Sequence, residues 1–321
     1  MFTLEELDAA RAIVADTMAP TPQYRWPLLD QAAGCPVWVK HENHTPTGAF
    51  KVRGGLVHMR RRREAGTTGG VISATRGNHG QSIAFAALRE GIAATIVVPH
   101  GNSVEKNAAM RALGAELVEA GRDFDEARGV ADQLAEERGL DFVPSFHPDL
   151  VIGVATYAYE LLTAVPDLEV VYVPIGLGSG ICAVIGVRDL LGLTAKVVGV
   201  VAAGAPAYAQ SFAARRVIST ESVQSFADGV AVGTPDPIAL GIILDGAERV
   251  VTVTDDEIAE ATRLLFAATH NTAEGAGAAA LAALTKERPQ RPDVRAGVIL
   301  SGGNIDTAMF ATILHGGTPE P

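Results

Sequence analysis

The stretch that decides the fold is residues 170–187, which read VVYVPIGLGSGICAVIGV and contain no charged residue. Its first four residues are β-branched or aromatic, which is typical of a buried strand. A proline and four glycines follow within the run, and they would interrupt a membrane-spanning helix. The run therefore predicts a strand, a tight loop and the start of a helix.

The same alternation of strand and helix continues on both sides of this stretch. Strands are predicted at 37–40, 71–74, 94–99, 115–119, 170–174, 196–201, 249–253 and 297–300, with a weak strand before Pro144. Helices are predicted at 51–62, 78–89, 103–113, 124–137, 149–164, 178–191, 254–270 and 278–284. Such alternation predicts an α/β protein with mainly parallel sheets flanked by helices.

Composition excludes several classes of function. The 321 residues include 26 basic and 37 acidic side chains, and a net charge of −11 argues against nucleic acid as a partner. Cys35 and Cys182 lie far apart in the sequence, so no disulfide framework is expected and a reducing cytoplasm is favoured. The chain opens on a capping-box pattern, Thr3 to Glu6, instead of a basic and apolar signal segment, and no membrane span is predicted.

One of the five lysines has an unusual setting. Lys51 lies in PTGAFKVRGG, residues 46–55, where small residues and glycines would allow a flat ligand to approach the backbone. The segment is compatible with an amine nucleophile that forms a Schiff base, with Arg53 as a nearby cation that lowers the lysine pKa. It is equally compatible with a surface lysine at a helix start.

A second loop, residues 73–81, reads SATRGNHGQ between a strand and a helix. Backbone amides at such a position point toward anions, so the loop could bind a carboxylate. The alternative is an ordinary helix start capped by Asn78 or Thr75.

A third loop, residues 174–180, reads PIGLGSG and also joins a strand to a helix. Its amides favour a single phosphate. A dinucleotide site is disfavoured because the strand ending near Val201 is followed by no acidic residue that could bind a ribose. A nucleoside triphosphate-binding loop is excluded because its lysine is absent.

Three smaller signals remain. Ser301, in SGGN at 301–304, places a hydroxyl where open α/β sheets bind ligands, although a turn serine has the same pattern. Glu274 precedes a helix of small residues, which helix-start electrostatics explain equally well. His41 and His44 lack further ligands, so no metal site is predicted there.

In this order the four segments resemble the fold-type II pyridoxal phosphate enzymes, and among them the serine/threonine dehydratase and serine racemase group. The resemblance covers nearly the whole chain and implies pyridoxal 5'-phosphate as the cofactor and Lys51 as its catalytic Schiff-base lysine. It implies further cofactor contacts from Phe50, Asn78, Gly176, Leu177, Gly178, Ser179, Gly180 and Ser301. It implies that the substrate carboxylate is bound by Thr75, Arg76, Gly77, Asn78 and His79.

The activity implied by the resemblance is β-elimination from a β-hydroxy amino acid such as L-threonine or L-serine, which gives a 2-oxo acid and ammonia. Ser301 at the ring nitrogen would leave that nitrogen largely unprotonated, which favours loss of a leaving group over transamination. The alternatives are dehydration of a β-aryl or otherwise substituted serine, β-replacement or racemisation, and a catalytically silent binding protein.

Several positions depart from the family pattern. Arg76 stands where the racemases have a serine base, and a guanidinium cannot take that proton. Ala49 and Gly275 replace a common serine and proline. Residues 202–206 lack the acidic ligands of the racemases' divalent cation.

The resemblance also implies an organisation. We expect a larger cofactor-binding domain of residues 1–69 plus 147–321, a smaller substrate-loop domain of residues 70–146, and no C-terminal regulatory domain. We expect a cytoplasmic homodimer. The glycines at 48, 54, 55, 77, 80, 176, 178, 180, 302 and 303 are expected to shape the cofactor site.

Overall fold

The computed structural model describes residues 1–220, 222–288 and 292–321. The chain divides into two compact units. The larger unit comprises Met1–Leu4, Pro20–Ala49 and Tyr157–Pro321, and the smaller unit comprises Glu5–Ala19 and Phe50–Thr156. The predicted domain of residues 70–146 lies inside the smaller unit, which extends beyond it on both sides; the predicted domain boundaries stay a prediction.

The described residues form ten strands and thirteen α-helices. The strands are β1 (Gln23–Arg25), β2 (Val37–His41), β3 (Val71–Ala74), β4 (Ala94–Val98), β5 (Glu116–Glu119), β6 (Asp141–Phe142), β7 (Val170–Pro174), β8 (Lys196–Ala202), β9 (Arg249–Val253) and β10 (Ala296–Leu300). The helices are α1 (Leu4–Ala15), α2 (Pro27–Ala33), α3 (Lys51–Glu64), α4 (Asn78–Glu90), α5 (Val104–Ala112), α6 (Phe124–Arg138), α7 (Pro148–Ala164), α8 (Ser179–Leu190), α9 (Ala207–Ala214), α10 (Pro237–Gly246), α11 (Asp255–Thr269), α12 (Gly275–Glu287) and α13 (Thr307–Leu314).

Each unit is built on one sheet. The larger unit has six strands in the order β1-β2-β10-β7-β8-β9, parallel except for the antiparallel edge strand β1. The smaller unit has four parallel strands in the order β5-β4-β3-β6. The predicted α/β architecture with two mainly parallel open sheets is confirmed.

Element bounds agree best where the hydrophobic pattern is strongest. The strands predicted at 71–74, 170–174 and 249–253 are found with those bounds. The pattern missed β1, α2, α9, α10 and α13, because short elements give too few repeats of the helical or strand period to stand out. Residues 207–246 contain two of these helices, so this irregular-looking stretch is more ordered than its sequence indicates.

The core of the larger unit depends on a helix of small residues. Helix α12 is buried continuously from Gly275 to Leu284. A Cβ on Gly277 would stand 2.2 Å from the carbonyl oxygen of Gly302. Small side chains therefore allow α12 to lie directly against the loop that follows β10, which fixes the backbone next to Ser301.

None of the helices among the described residues combines the length and the apolar character required to cross a bilayer.

Candidate active site

In the smaller unit, Lys51 is the first residue of α3, and Phe50 occupies the N-cap position. Lys51 Nζ lies 5.3 Å from the centroid of the Phe50 ring. The Ser82 hydroxyl of α4 donates a hydrogen bond of 2.6 Å to the Lys51 carbonyl oxygen. This bond connects the start of α3 to the first turns of α4, which begins at Asn78.

The glycines that follow Lys51 have a different role from the predicted one. A Cβ on Gly54 would meet the backbone of Leu150 at 2.8 Å, and one on Gly55 would meet the Ser82 hydroxyl at 2.4 Å. Both glycines thus permit close packing of α3 against its neighbours. The expectation that they let a ligand approach is wrong, because protein atoms occupy that space.

The loop at residues 75–79 is held by Thr75. Its Oγ1 accepts hydrogen bonds from the backbone amides of Gly77, at 3.0 Å, and Gly80, at 3.3 Å. Gly77 is the N-cap of α4 and Asn78 already belongs to the helix, so Asn78 is not its cap. Thr75 is buried, whereas Arg76 is exposed. Of the two predicted capping residues, Thr75 lies before the helix and accepts hydrogen bonds from amides at its start.

His79 is buried, and its Nε2 has no hydrogen-bond partner among the described residues. Burial, the positive charge of Lys51 and the proximity of His58 lower the pKa of His79 to about 3, against a hydrogen bond to the Val143 backbone that raises it. The imidazole is therefore neutral at physiological pH.

We predict a pH dependence of stability from His79. An unfolded chain protonates this histidine below about pH 6.5, whereas the folded chain does not do so until about pH 3. Because the unfolded state binds more protons in that window, the free energy of unfolding should fall as the pH decreases, by about 1.4 kcal/mol per pH unit. When urea unfolding is measured at pH values between 7 and 5, the free energy of unfolding should change less with pH in His79→Gln than in the wild type. The exposed His100→Gln is the control, and the same dependence of this free energy on pH in both variants would contradict the assignment.

In the larger unit, the loop at residues 176–180 lies between β7 and α8. Gly178 is the N-cap of α8, with a φ of 101° and no side-chain capping bond. A Cβ on Gly176 would meet the Gly229 carbonyl oxygen at 2.5 Å, and the Tyr208 hydroxyl donates to the Leu177 carbonyl at 3.0 Å. Contacts with Gly229 and Tyr208 thus hold the loop, and the N-terminus of this twelve-residue helix has no side-chain cap.

Ser301 directly follows β10 and is buried. Strands β7 and β10 are parallel neighbours, so the loops after them leave the same edge of the sheet. The segment that leads to Lys51 is attached to the Ser301 loop. Ala49 forms a β-bridge with Gly302, and the Gly303 amide donates to the Gly48 carbonyl at 2.9 Å.

Glu274 was not assigned to the site by sequence reasoning. It is buried, its amide donates to the Gly302 carbonyl at 3.1 Å, and its Oε1 would lie 2.3 Å from a Cβ on Gly302. Glu274 thus places a buried carboxyl group beside Ser301, the residue predicted to contact the ring nitrogen. The only signal in the sequence was an isolated acid before a helix of small residues.

Three potential metal ligands also come together in the smaller unit. His58, His147 and Asp149 place one ligand atom each within 4.8 Å of the others. Arg61 donates to Asp149 at 2.6 Å and His58 lies 3.1 Å from the same carboxylate, while the Asp149 amide donates to His147 Nδ1. Burial raises the pKa of Asp149, but the hydrogen bonds from His58 and Arg61 outweigh it and lower the pKa to about 2. We interpret the cluster as a hydrogen-bonded network.

Residues 14–302 match the sequence family described as pyridoxal-phosphate dependent enzyme. The chain belongs to this family. Its cofactor is pyridoxal 5'-phosphate, and its fold is that of the fold-type II enzymes predicted from the sequence. The family match covers the lysine segment, both glycine-containing loops and Ser301.

This pyridoxal phosphate enzyme has relatives with related activities. An L-threonine ammonia-lyase of Geobacter sulfurreducens is 38% identical over 90% of this chain and 72% of its own length. An L-threo-3-hydroxyaspartate ammonia-lyase of a Pseudomonas species is 31% identical over 92% and 93% of the two chains. The crystal structure of a pyridoxal 5'-phosphate-dependent aspartate racemase superposes with a TM-score of 0.91 at 29% identity, covering 96% of this chain and 97% of the other.

The residues present fit pyridoxal phosphate. The cofactor requires an amine for its aldehyde and donors for its phosphate. Lys51 has such an amine at a helix start, and the N-terminus of α8 has backbone amides without a side-chain cap behind a glycine loop, which would be donors for a phosphate. Ser301 has a buried hydroxyl, the type of group that would bond the ring nitrogen.

Proposed function

We propose that this enzyme is an ammonia-lyase that converts a β-hydroxy amino acid such as L-threonine or L-serine to a 2-oxo acid and ammonia. The observation that carries the proposal is the pairing of Ala49 with Gly302, because it ties the segment entering Phe50 and Lys51 to the loop of the buried Ser301. These connected segments carry the lysine that we propose as the amine and general base and the serine that we propose as the partner of the ring nitrogen.

We propose the following roles in binding the cofactor. Lys51 binds the aldehyde, and Phe50 packs beside the ring. Asn78 bonds the ring hydroxyl, and Ser301 bonds the ring nitrogen. The amides of residues 176–180, namely Gly176, Leu177, Gly178, Ser179 and Gly180, hold the phosphate. Support comes from the uncapped start of α8 and from the position of Lys51 at the start of α3.

In the proposed reaction the bound cofactor supplies an electron sink for the charge left when the substrate loses its Cα proton. Lys51 Nζ takes that proton as a general base. The loop of Thr75, Arg76, Gly77, Asn78 and His79 orients the substrate carboxylate. The neutral His79 adds no positive charge to that of Lys51, so it does not hinder Lys51 from taking a proton.

The preferred substrate is tested by a panel. With pyridoxal phosphate present, 2-oxo acid release is measured for L-threonine, L-serine, L-threo-3-hydroxyaspartate and a β-phenylserine. Release from at least one of these at more than the rate without enzyme supports the proposal. If a Schiff-base absorbance forms but none of them yields a 2-oxo acid, the ammonia-lyase function fails and a silent binding protein is favoured.

Racemisation is the second candidate, and the similarity to an aspartate racemase structure favours it. Arg76 weighs against it, because an arginine stays protonated and cannot act as the second base. Chiral chromatography of L-serine incubations separates the two functions. Faster accumulation of D-serine than of pyruvate would reverse our preference.

The proposed phosphate loop leads to a prediction at Gly178. Its φ of 101° disfavours any other residue, and an added Cβ would stand 2.7 Å from the Ala239 Cβ. We expect Gly178→Ala to weaken pyridoxal phosphate binding by about tenfold or more, because a left-handed conformation costs about 1–2 kcal/mol and relief would move the amides. The dissociation constant is measured by equilibrium dialysis.

Gly192 offers a matched control for Gly178. It follows the other end of α8, has a φ of 64°, and has nothing within 4 Å of an added Cβ. Gly192→Ala should lower stability without changing cofactor affinity. Equal losses of affinity in both variants would contradict the phosphate role of the loop.

We also propose that the enzyme acts as a homodimer in the cytoplasm. The free, buried thiols of Cys35 and Cys182 are compatible with a reducing compartment. Analytical ultracentrifugation tests the dimer, and a single species with the mass of one chain would exclude it.

A further inference from the structure

Tyr208 contacts the loop that the proposed function assigns to the cofactor phosphate. It is the second residue of α9, a helix that the sequence pattern did not predict, and it is buried in the larger unit. Its hydroxyl donates to the Leu177 carbonyl at 3.0 Å and accepts from the Asp236 amide at 3.1 Å. Because the amide of Asp236 directs its own hydrogen at the hydroxyl oxygen, the hydroxyl hydrogen is directed to the Leu177 carbonyl.

The groups around this hydroxyl hold it in place. Asp236 is the N-cap of α10, and its side chain accepts hydrogen bonds from the amides of Ile238 and Ala239, both at 2.9 Å. Burial raises the pKa of Tyr208, so the hydroxyl keeps its proton at physiological pH. The donor to Leu177 is therefore carried by α9 and held through Asp236 at the start of α10.

A bond to the Leu177 carbonyl also fixes the direction of the next amide. The carbonyl of Leu177 and the N–H of Gly178 belong to one planar trans peptide, in which the two bonds point in opposite directions. Since the carbonyl faces Tyr208, the Gly178 N–H faces away from it. Gly178 is the N-cap of α8, and the first amides of a helix have no partner within the helix. The bond from Tyr208 thus orients an amide at the helix start that is proposed to hold the phosphate.

The conformational freedom of glycine makes this orientation important. Gly178 has a φ of 101°, a region in which glycine moves more freely than other residues. Rotation of the peptide between Leu177 and Gly178 would turn the amide away from the proposed phosphate position and bring a carbonyl oxygen toward it. That rotation would also leave the buried Tyr208 hydroxyl without its acceptor, which costs free energy. Tyr208 therefore opposes the rotation that would exchange the donor for an acceptor.

Resting on the proposed function, which assigns the phosphate to this loop, we infer that Tyr208 is a positioning residue that directs the Gly178 amide toward the cofactor phosphate. Tyr208 acts through the loop and not by contact with the cofactor. Its loss should therefore weaken the binding of a phosphorylated ligand and leave the binding of an unphosphorylated one almost unchanged.

The test compares pyridoxal 5'-phosphate with pyridoxal, which has a hydroxyl in place of the phosphate. Both dissociation constants are measured by equilibrium dialysis on the chain freed of its cofactor. We expect Tyr208→Phe to raise the constant for pyridoxal phosphate by about five- to tenfold and that for pyridoxal by less than about twofold. Phenylalanine keeps the buried ring, and the midpoint of urea unfolding verifies that the variant is folded under the conditions of dialysis.

Tyr172→Phe is the matched control. Tyr172 is also a buried tyrosine of the larger unit, and its hydroxyl donates to Glu287 at 2.6 Å and accepts from Arg249 at 3.3 Å. The same atom is removed, so stability should fall while neither dissociation constant changes. Equal losses for the two ligands in Tyr208→Phe, or equal losses for pyridoxal phosphate in the two variants, would show a general structural effect and overturn the inference.

Gly178→Ala separates a failure of this inference from a failure of the proposed function. If Gly178→Ala weakens pyridoxal phosphate more than pyridoxal and Tyr208→Phe does not, the loop holds the phosphate and only the role of Tyr208 is wrong. If neither variant reduces the preference for the phosphorylated ligand, the loop does not hold the phosphate, and both the inference and that part of the proposed function fail.

Discussion

Replacement of Lys51 by alanine is expected to lower 2-oxo acid formation by about 10³-fold or more, because we propose Lys51 both as the amine that binds the cofactor and as the general base. The loss should appear in kcat, since the loop at residues 75–79 remains. Measurement requires the steady-state rate with saturating pyridoxal phosphate and the absorbance of the lysine-bound cofactor, which should be lost.

Lys286→Ala is the control for Lys51→Ala. Lys286 donates to the Thr252 carbonyl and to Glu257 and lies in the larger unit, so its loss removes one lysine without touching the start of α3. Lys51→Arg guards against a folding defect, because it keeps a positive charge at the helix start but cannot form the Schiff base. Retention of more than a tenth of the wild-type rate in either Lys51 variant would show that another residue supplies the base.

Ser301→Asp is expected to lower β-elimination by about 100-fold, because a carboxylate at the ring nitrogen raises the pKa of that nitrogen and strengthens the electron sink. The negative charge left after loss of the Cα proton then persists longer, and other reactions of the substrate compete with loss of the β-hydroxyl. The measurement is the ratio of 2-oxo acid release to exchange of the Cα proton with deuterated solvent. That ratio should fall in the variant.

Ser301→Ala separates electronics from folding. The site is buried and lies next to the buried Glu274, so a second carboxylate also costs stability. An alanine places no charge there and leaves the ring nitrogen unprotonated, so elimination should remain within about tenfold of wild type. A loss in Ser301→Ala as large as in Ser301→Asp would contradict the electronic argument and show that the hydroxyl itself is required.

The sequence allowed the sheets and the loops that join their strands to the following helices to be predicted, because both depend on local patterns. The strand at 71–74 and the glycine loop at 176–180 have apolar runs and loop residues that are adjacent in the chain. Thr75 could likewise be predicted from the sequence as a residue that bonds the loop amides, because its partners lie only two and five residues away.

Contacts over long sequence distances were not predictable in this way. Gly54 and Gly55 looked like part of a ligand site, but Leu150 and Ser82 occupy the space beside them. The Lys106 stem fills the space beside Gly77, although the two residues are far apart in the sequence. A glycine motif shows that something approaches the backbone closely, but it does not show whether that is a ligand or another part of the chain.

The place of β10 in the six-stranded sheet has a consequence for synthesis on the ribosome. This strand lies between β2 and β7 although it is the last of the six strands of its sheet in sequence order, and the loop after it holds Gly48 and Ala49 through Gly303 and Gly302. The four-stranded sheet needs only residues 71–142 and can form much earlier. A nascent chain shorter than about 300 residues lacks this central strand of the larger sheet. Lys51 therefore leaves the ribosome long before the loop that holds Gly48 and Ala49, the residues just before it in the chain.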